Sequence, residues 1–331
     1  MKAICVTADR SLELRDIPTP TEPPPGYLLV DIKASAINHG DKFFLRTPQA
    51  VGNAAAFRSH EVWGVSAAGT VVAVGAGVPP GYAGKSVAIY RSLQRDRPVI
   101  GLWCERAQIP YRSCLPLPDH VQAKAYSGSL VNVITAYAFL EEATTAGHGG
   151  VIVTAGNAAT GHALAAFARR RRMPAILLVR TPAAQAQLQD RGIEHVLVIK
   201  EGFLTELGEL AARLGATAVF DGVGGDLVTN IAPLLPMNST VYFYGFLAGA
   251  APVSVSSLLF MGKNLTLKRF SNFESATVRD VAKLDAAFKD IQSCIDDPLF
   301  ETRTGREFRL DEFDAAMSYE AVPGAKAVFV P

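Results

Sequence analysis

Charge is scarce in this chain. Only 19% of its 331 residues are Asp, Glu, Lys or Arg, and 32 basic residues nearly cancel 31 acidic ones. A net charge of +1 makes no field that would steer a polyanion, so nucleic acid is not an expected partner. Cysteine is scarce too. Cys5, Cys104, Cys114 and Cys294 contain no C-x-x-C pair and no zinc-ligand spacing. Reduced structural thiols are the expectation; the nearest pair, Cys104 and Cys114, could join only in an oxidising compartment. Long apolar runs are missing. None approaches the ~20 residues that span a bilayer, and the N-terminus lacks a signal peptide's apolar core. These absences point to cytoplasmic residence without a membrane partner. What is present is a 49% hydrophobic chain, enough for a large core and two ordinary domains.

Residues 1–118 read as mostly β. Tyr27–Ile32 and Thr70–Val74 are short β-branched runs bounded by Gly and Pro. Pro18, Pro20 and Pro23–Pro25 stiffen an early loop, and Gly75, Gly77 and Pro79–Gly81 mark a later turn. The pattern predicts a barrel-like β domain. From Ala123 the character changes. A helical stretch over Ala123–Ala143 leads into strands at Val151–Thr154, Ala175–Val179, His195–Ile199, Ala218–Phe220 and Val241–Tyr244. Between the first four strands lie helical patterns at Gly161–Arg171, Ala183–Asp190 and Leu204–Leu214. This alternation predicts a doubly wound parallel sheet. The tail, 262–331, returns to short mixed elements and ends in a strand-like Ala327–Val330, expected to rejoin the first domain. The expected division is therefore 1–122 with 262–331, and 123–261.

The turn after the first of those strands carries the chemistry. Gly156, Asn157, Ala158, Ala159, Thr160 and Gly161 join it to a helix. Gly156 permits a tight turn, Gly161 permits close helix–strand packing, and Ala158 stands where G-x-G-x-x-G has its second glycine. A pyrophosphate would rest on the N–H groups of the helix start. Arg180 ends the next strand, where the dinucleotide pattern reads the ribose. An arginine there suits a 2′-phosphate. The Arg169–Arg172 run lies at the far end of the same helix, where cations complement the dipole and stay solvated.

Several motifs in order now resemble the medium-chain dehydrogenase/reductase superfamily, in its zinc-independent quinone oxidoreductase and enoyl reductase branch. Asn38-His-Gly-Asp41 resembles N-P-x-D, and Gly64–Gly75 resembles G-x-E-G-A-G-x-V-x-x-V-G. Asn132–Tyr137 resembles a hinge-helix T-A-Y segment, and Phe220–Gly225 resembles F-D-x-V-G-G. Tyr244-Gly245 and Gly324-Ala-Lys326 also find counterparts. The resemblance implies an α/β fold in which a Rossmann domain interrupts a GroES-like β domain. It also implies that Thr135, Val223, Tyr244, Gly245, Phe246, Arg269, Phe270 and Lys326 belong to the cofactor site. Arg269 replaces a common Gly there, where it would also contact an anionic substrate or pair with an acid.

The resemblance also speaks to zinc. Zinc-dependent relatives have a Cys where Asn38 stands and a His-Glu pair where Val65-Ser66 stand, so no metal is expected. His60-Glu61 looks similar but lies five residues early against the Gly69–Gly75 frame, and is set aside. Without a Lewis acid, alkoxide chemistry loses its usual support. Reduction of an already electrophilic conjugated carbonyl remains. Arg180, helped by Thr181 and Lys200, favours NADPH. The family's phosphate-reading Lys and Tyr are replaced by Ala184 and Ile199. Enoyl-thioester reductases place a Tyr proton donor within the stretch corresponding to Lys42–Gly52, which has none here. Asn38 and Asp41 are the catalytic candidates, either touching the reactants or ordering their loop.

The expected activity is thus NADPH-dependent reduction of quinones or related conjugated carbonyls. A 2-enoyl-thioester reductase is the alternative, and a non-catalytic NADPH-binding protein is the alternative of another class. The loop Arg46–Arg58 is expected to shape the acceptor pocket. A homodimer is also expected. Val241–Phe246 should be the last parallel strand, and the apolar run Pro252–Leu259 should offer an edge for a second copy.

Overall fold

The structure, a computed structural model, describes residues 1–46, 61–94, 100–322 and 324–331. His60 and the loop beyond Arg46 up to Arg58 lie outside the described residues. In chain order the strands are β1 (Lys2–Val6), β2 (Leu12–Asp16), β3 (Tyr27–Ala36), β4 (Glu61–Val62), β5 (Ser66–Val74), β6 (Ser86–Tyr90), β7 (Arg106–Pro110) and β8 (Cys114–Pro116). There follow β9 (Gly150–Val153), β10 (Ala175–Val179), β11 (His195–Val198), β12 (Ala216–Asp221), β13 (Thr240–Phe243), β14 (Thr266–Arg269), β15 (Thr304–Phe308) and β16 (Lys326–Phe329). The helices that matter below are α1 (His39–Arg46), α2 (Ser129–Thr145), α3 (Ala159–Arg170), α4 (Pro182–Asp190), α5 (Phe203–Leu214), α6 (Gly225–Ile231) and α7 (Ser257–Gly262).

Two compact units result, Met1–Asn132 with Phe288–Pro331, and Val133–Ala287. The first is built on β3. Its inward side chains Leu28, Val30 and Ile32 alternate as a strand requires and are buried with Val71, Val87, Ile89 and Ile109. β3 pairs antiparallel with β5, β7 and β16. Register shifts at Leu29/Val30 and Ile32/Ala34 bend it between partners. The terminal strand rejoins the first unit here, with Val328 opposite Ala36.

The second unit holds a six-stranded parallel sheet in the order β11-β10-β9-β12-β13-β14. Its inner strands are uninterrupted apolar runs, because helices cover both faces of a parallel sheet. Val151, Ile152, Val153, Ile176, Leu177, Val219 and Phe220 are all buried. α5 shows the matching helical period, burying Phe203, Leu207, Leu210 and Ala211.

Two expectations need correction. The stretch Ala123–Ala143 is not one helix: a 3₁₀ turn, Ala123–Tyr126, precedes α2. The break falls at Gly128, where a Cβ would lie 2.7 Å from Ala36 Cβ. Nor is β13 the last strand, and Pro252–Leu259 is not a strand. Thr229 Oγ1 accepts from Ser254 N at 2.9 Å and holds the run against α6. Ser256 Oγ accepts from Leu259 N at 3.2 Å and starts α7. Val253 and Val255 pack into the core beneath. The edge strand is β14, from the tail expected in the first domain, and all four of its residues are exposed.

Candidate functional site

At the carboxyl end of β9 the chain turns through Thr154–Ala158 into α3. A Cβ on Gly156 would lie 2.8 Å from Leu178 O, and one on Gly161 would lie 2.5 Å from Ala155 O. Both glycines are therefore required by close backbone approach. Ala158 is the N-cap residue and offers no side-chain cap. The first N–H groups of α3, from Ala159 and Thr160 onward, thus keep no capping acceptor from that side chain, as an anion-binding turn requires. His162, which sequence reasoning missed, lies within 3.0 Å of Asn157 Oδ1 through its Nε2. An amide oxygen only accepts, so the ring nitrogen donates and fixes the amide of Asn157. This pairing depends on the turn's geometry and left no mark in the sequence.

Arg180 follows β10 and Lys200 follows β11, at adjacent strand ends where Val179 faces Val198. Both are exposed, and neither forms an ion pair among the described residues. Thr181 Oγ1 is spent on capping α4, accepting from Ala184 N at 3.2 Å. The turn and these two cations fit a phosphorylated dinucleotide: close backbone at the pyrophosphate and unneutralised charge at the ribose.

The strand order reverses between β9 and β12, and a buried carboxylate ties their ends. Asp221 accepts from Thr154 Oγ1 at 2.5 Å, Val223 N at 3.2 Å and Gly224 N at 2.9 Å. Burial pushes its carboxyl upward. Tyr244 stacks on Phe220 at 3.9 Å, and burial also raises its phenol. Gly245 N donates to Asp221 O at 3.3 Å, and Phe246 O accepts from Gly249 N at 2.8 Å. Thr135 Oγ1 accepts from Asn272 Nδ2 at 2.6 Å. Two residues expected at the cofactor have other commitments. Arg269 makes two 2.5 Å bonds to the Glu274 carboxylate, so of its two expected roles the acid pair is present. Phe270 is buried, its ring 5.7 Å from both Phe139 and Phe220, so it builds the core.

Lys326 lies in the first unit, together with the two catalytic candidates. Asp41, in the first turn of α1, is fully buried. Its Oδ2 accepts from Asn38 N at 2.8 Å and from Asn38 Nδ2 at 3.1 Å. Asn38 Nδ2 also donates to Ser66 Oγ at 2.8 Å. Lys326 Nζ donates to Asn38 Oδ1. Burial pushes the Asp41 carboxyl up to about 6, against the opposing pull of the Asn38 bonds and of Lys326 and Arg91. Burial pushes the Lys326 ammonium down to about 8, against the pull of Asp41. No three His, Cys, Asp or Glu side chains converge to hold a metal among the described residues. Cys5, Cys104, Cys114 and Cys294 are free, and burial lifts the Cys104 thiol to about 12.

Residues 24–119 match the alcohol dehydrogenase GroES-like domain. A candidate NADPH:quinone reductase from Mesorhizobium loti superposes with a TM-score of 0.80 at 24% identity, over 100% of this chain and 98% of that one. The chain has the fold of that protein. A mycobacterial protein complexed with NADPH also superposes, with a TM-score of 0.77 at 23% identity over 100% of both chains. The mouse synaptic vesicle membrane protein VAT-1 homolog is 26% identical over 233 residues, 68% of this chain. This chain spans about half of that relative, 53% of its length. No helix among the described residues is long and apolar enough to cross a membrane.

Proposed function

We propose that this protein is an NADPH-dependent reductase of quinones or related conjugated carbonyls, working without zinc. The observation that carries the reading is the pair Arg180 and Lys200, exposed and unneutralised at adjacent strand ends beside the glycine turn. No acid stands at position 180 to hold a free 2′-hydroxyl. When bound, the cofactor supplies a hydride. The chain's own part is to seat the pyrophosphate on the start of α3 and the 2′-phosphate between Arg180 and Lys200. The similarity to a candidate NADPH:quinone reductase and to a protein complexed with NADPH supports this reading.

Zinc independence rests on donor chemistry. Asn38 and Ser66 hydrogen-bond to each other, and the Lys326 ammonium donates to Asn38. An amide, a hydroxyl and an ammonium make a poor ligand set for zinc. We further propose a homodimer formed through β14 and α7, where Leu258, Met261, Phe260 and Leu267 are 84%, 79%, 38% and 36% exposed. The test of the reading is NADPH oxidation with a quinone and enone panel, beside crotonyl-CoA. Turnover on quinones or simple enones is expected. Turnover on the thioester alone would favour the enoyl-thioester reductase, and tight NADPH binding with no turnover would overturn the enzymatic reading.

A further inference from the structure

The ammonium of Lys326 has more donors than the chain uses. One of its N–H groups goes to Asn38 Oδ1, and no other acceptor meets Lys326 Nζ among the described residues. No direct ion pair to Asp41 is formed, because the Asn38 amide stands between them. The ammonium is held at a defined place. A Cβ on Gly128 would come within 3.2 Å of Lys326 Nζ, so the charge lies against the backbone just before α2. That is the positive end of a 17-residue helix, where a cation is unfavourable and an anion is favoured. The hydroxyls of Ser127 and Ser129 are buried there without a hydrogen-bond partner. A fixed cation with free donors, a helix start and two unused hydroxyls make a place for negatively charged oxygen. The buried carboxylate of Asp41 meets it only through the Asn38 amide.

We propose that Lys326 binds the carbonyl oxygen of the acceptor and stabilises the charge that oxygen gains during reduction. This rests on the reductase reading above. In an enone, hydride forms a C–H bond at the β-carbon. The alkene pair moves to join the α-carbon to the carbonyl carbon, and the carbonyl pair comes to rest on oxygen. Lys326 donates a hydrogen bond to that oxygen and keeps its proton. Water then protonates the α-carbon, and the double bond to oxygen re-forms. Asn38 is a positioning residue here, since its Oδ1 sets where the ammonium stands. Asp41 acts one step further away, through Asn38.

The test uses 4-nitrophenol, whose phenolate mimics the charged oxygen and absorbs differently from the phenol. It is titrated against the NADP⁺ complex of the whole protein, beside an NADPH titration. Wild type should bind the phenolate and lower the probe's apparent pKa by about one unit or more. Lys326, expected at the cofactor from the resemblance, is assigned here to the acceptor instead, so Lys326→Met should lose that shift while retaining NADPH binding, and Lys326→Arg should keep the shift. Turnover should fall about 10²-fold in Lys326→Met, the usual scale for losing one such donor. If Lys326→Met does not fold by circular dichroism, Lys326→Gln takes its place. Wild type that binds NADPH but not the phenolate overturns this proposal alone. So does a Lys326→Met protein that binds the phenolate as wild type does, or one that loses NADPH binding. Wild type that fails to bind NADPH overturns the reductase reading itself.

Discussion

Asn38 stands between Asp41 and Lys326, accepting from the ammonium through Oδ1 and donating to Asp41 Oδ2 at 3.1 Å through Nδ2. Burial shifts both groups toward their neutral forms, the carboxyl up to about 6 and the ammonium down to about 8, so each is still charged at pH 7. A pH dependence follows. The Asp41 carboxyl is raised from 3.8 to about 6, so the folded state holds its proton more tightly than the unfolded chain. Its contribution to stability is fully present below about 3.8 and is lost as pH rises through about 6. The loss is at most about 3 kcal/mol by linkage. Lys326 behaves oppositely: lowered from 10.5 to about 8, its contribution is full above 10.5 and lost as pH falls through about 8. Arg91 also acts on Asp41. Urea unfolding of wild type and Asp41→Asn between those limits checks this. The variant should gain stability relative to wild type as pH rises from 4 toward 7, on the order expected from linkage. A constant difference across that window contradicts it.

Arg180→Ala should weaken NADPH binding by about 1.5–3 kcal/mol, the cost of losing a charge-assisted pair, and leave NADH little changed. Lys200→Ala should act in the same direction. Calorimetric titration with both cofactors checks this, and equal effects on the two would remove Arg180 from the phosphate.

Gly161→Val brings a branched side chain to a position where even a Cβ meets Ala155 O at 2.5 Å. Loss of NADPH affinity is expected, with thermal stability lowered by about 1–3 kcal/mol for overpacking. Unchanged binding in a variant with a wild-type melting curve would mean that the turn does not seat the cofactor.

The edge of the second unit gives a prediction about assembly. Leu258→Glu with Met261→Lys places opposite charges on the most exposed apolar residues of α7, and Leu267→Lys places a charge on β14. Sedimentation at micromolar concentration should show a dimer for wild type and a shift toward monomer in these variants. A monomeric wild type would rule the dimer out.

Legibility in the sequence followed burial. Ala175–Val179 is legible to the residue because a strand covered on both faces is an apolar run with sharp ends. β14 was not legible, since Thr-Leu-Lys-Arg carries no alternation and is a strand only because β13 pairs with it, Val241 against Leu267. Pro252–Leu259 misled for the opposite reason. It has strand composition, yet the hydroxyls of Thr229 and Ser256 direct its backbone elsewhere. The glycine turn was legible because Gly156 and Gly161 answer to backbone contacts that no other residue meets. The resemblance brought Asn38, Asp41 and Lys326 to notice separately. Their meeting could not be read, because the pairing of β16 with β3 is what brings together Lys326 and Asn38, 288 residues apart in sequence.

The activity proposed for this chain is transfer of a reducing equivalent from NADPH to a conjugated carbonyl. Its most direct test is the loss of reduced-nicotinamide absorbance when the purified wild-type protein, treated with a chelator, meets a simple quinone with NADPH or with NADH. Turnover should survive chelation and be faster with NADPH at subsaturating cofactor. Turnover abolished by chelation and restored by zinc, or a preference for NADH, would contradict it.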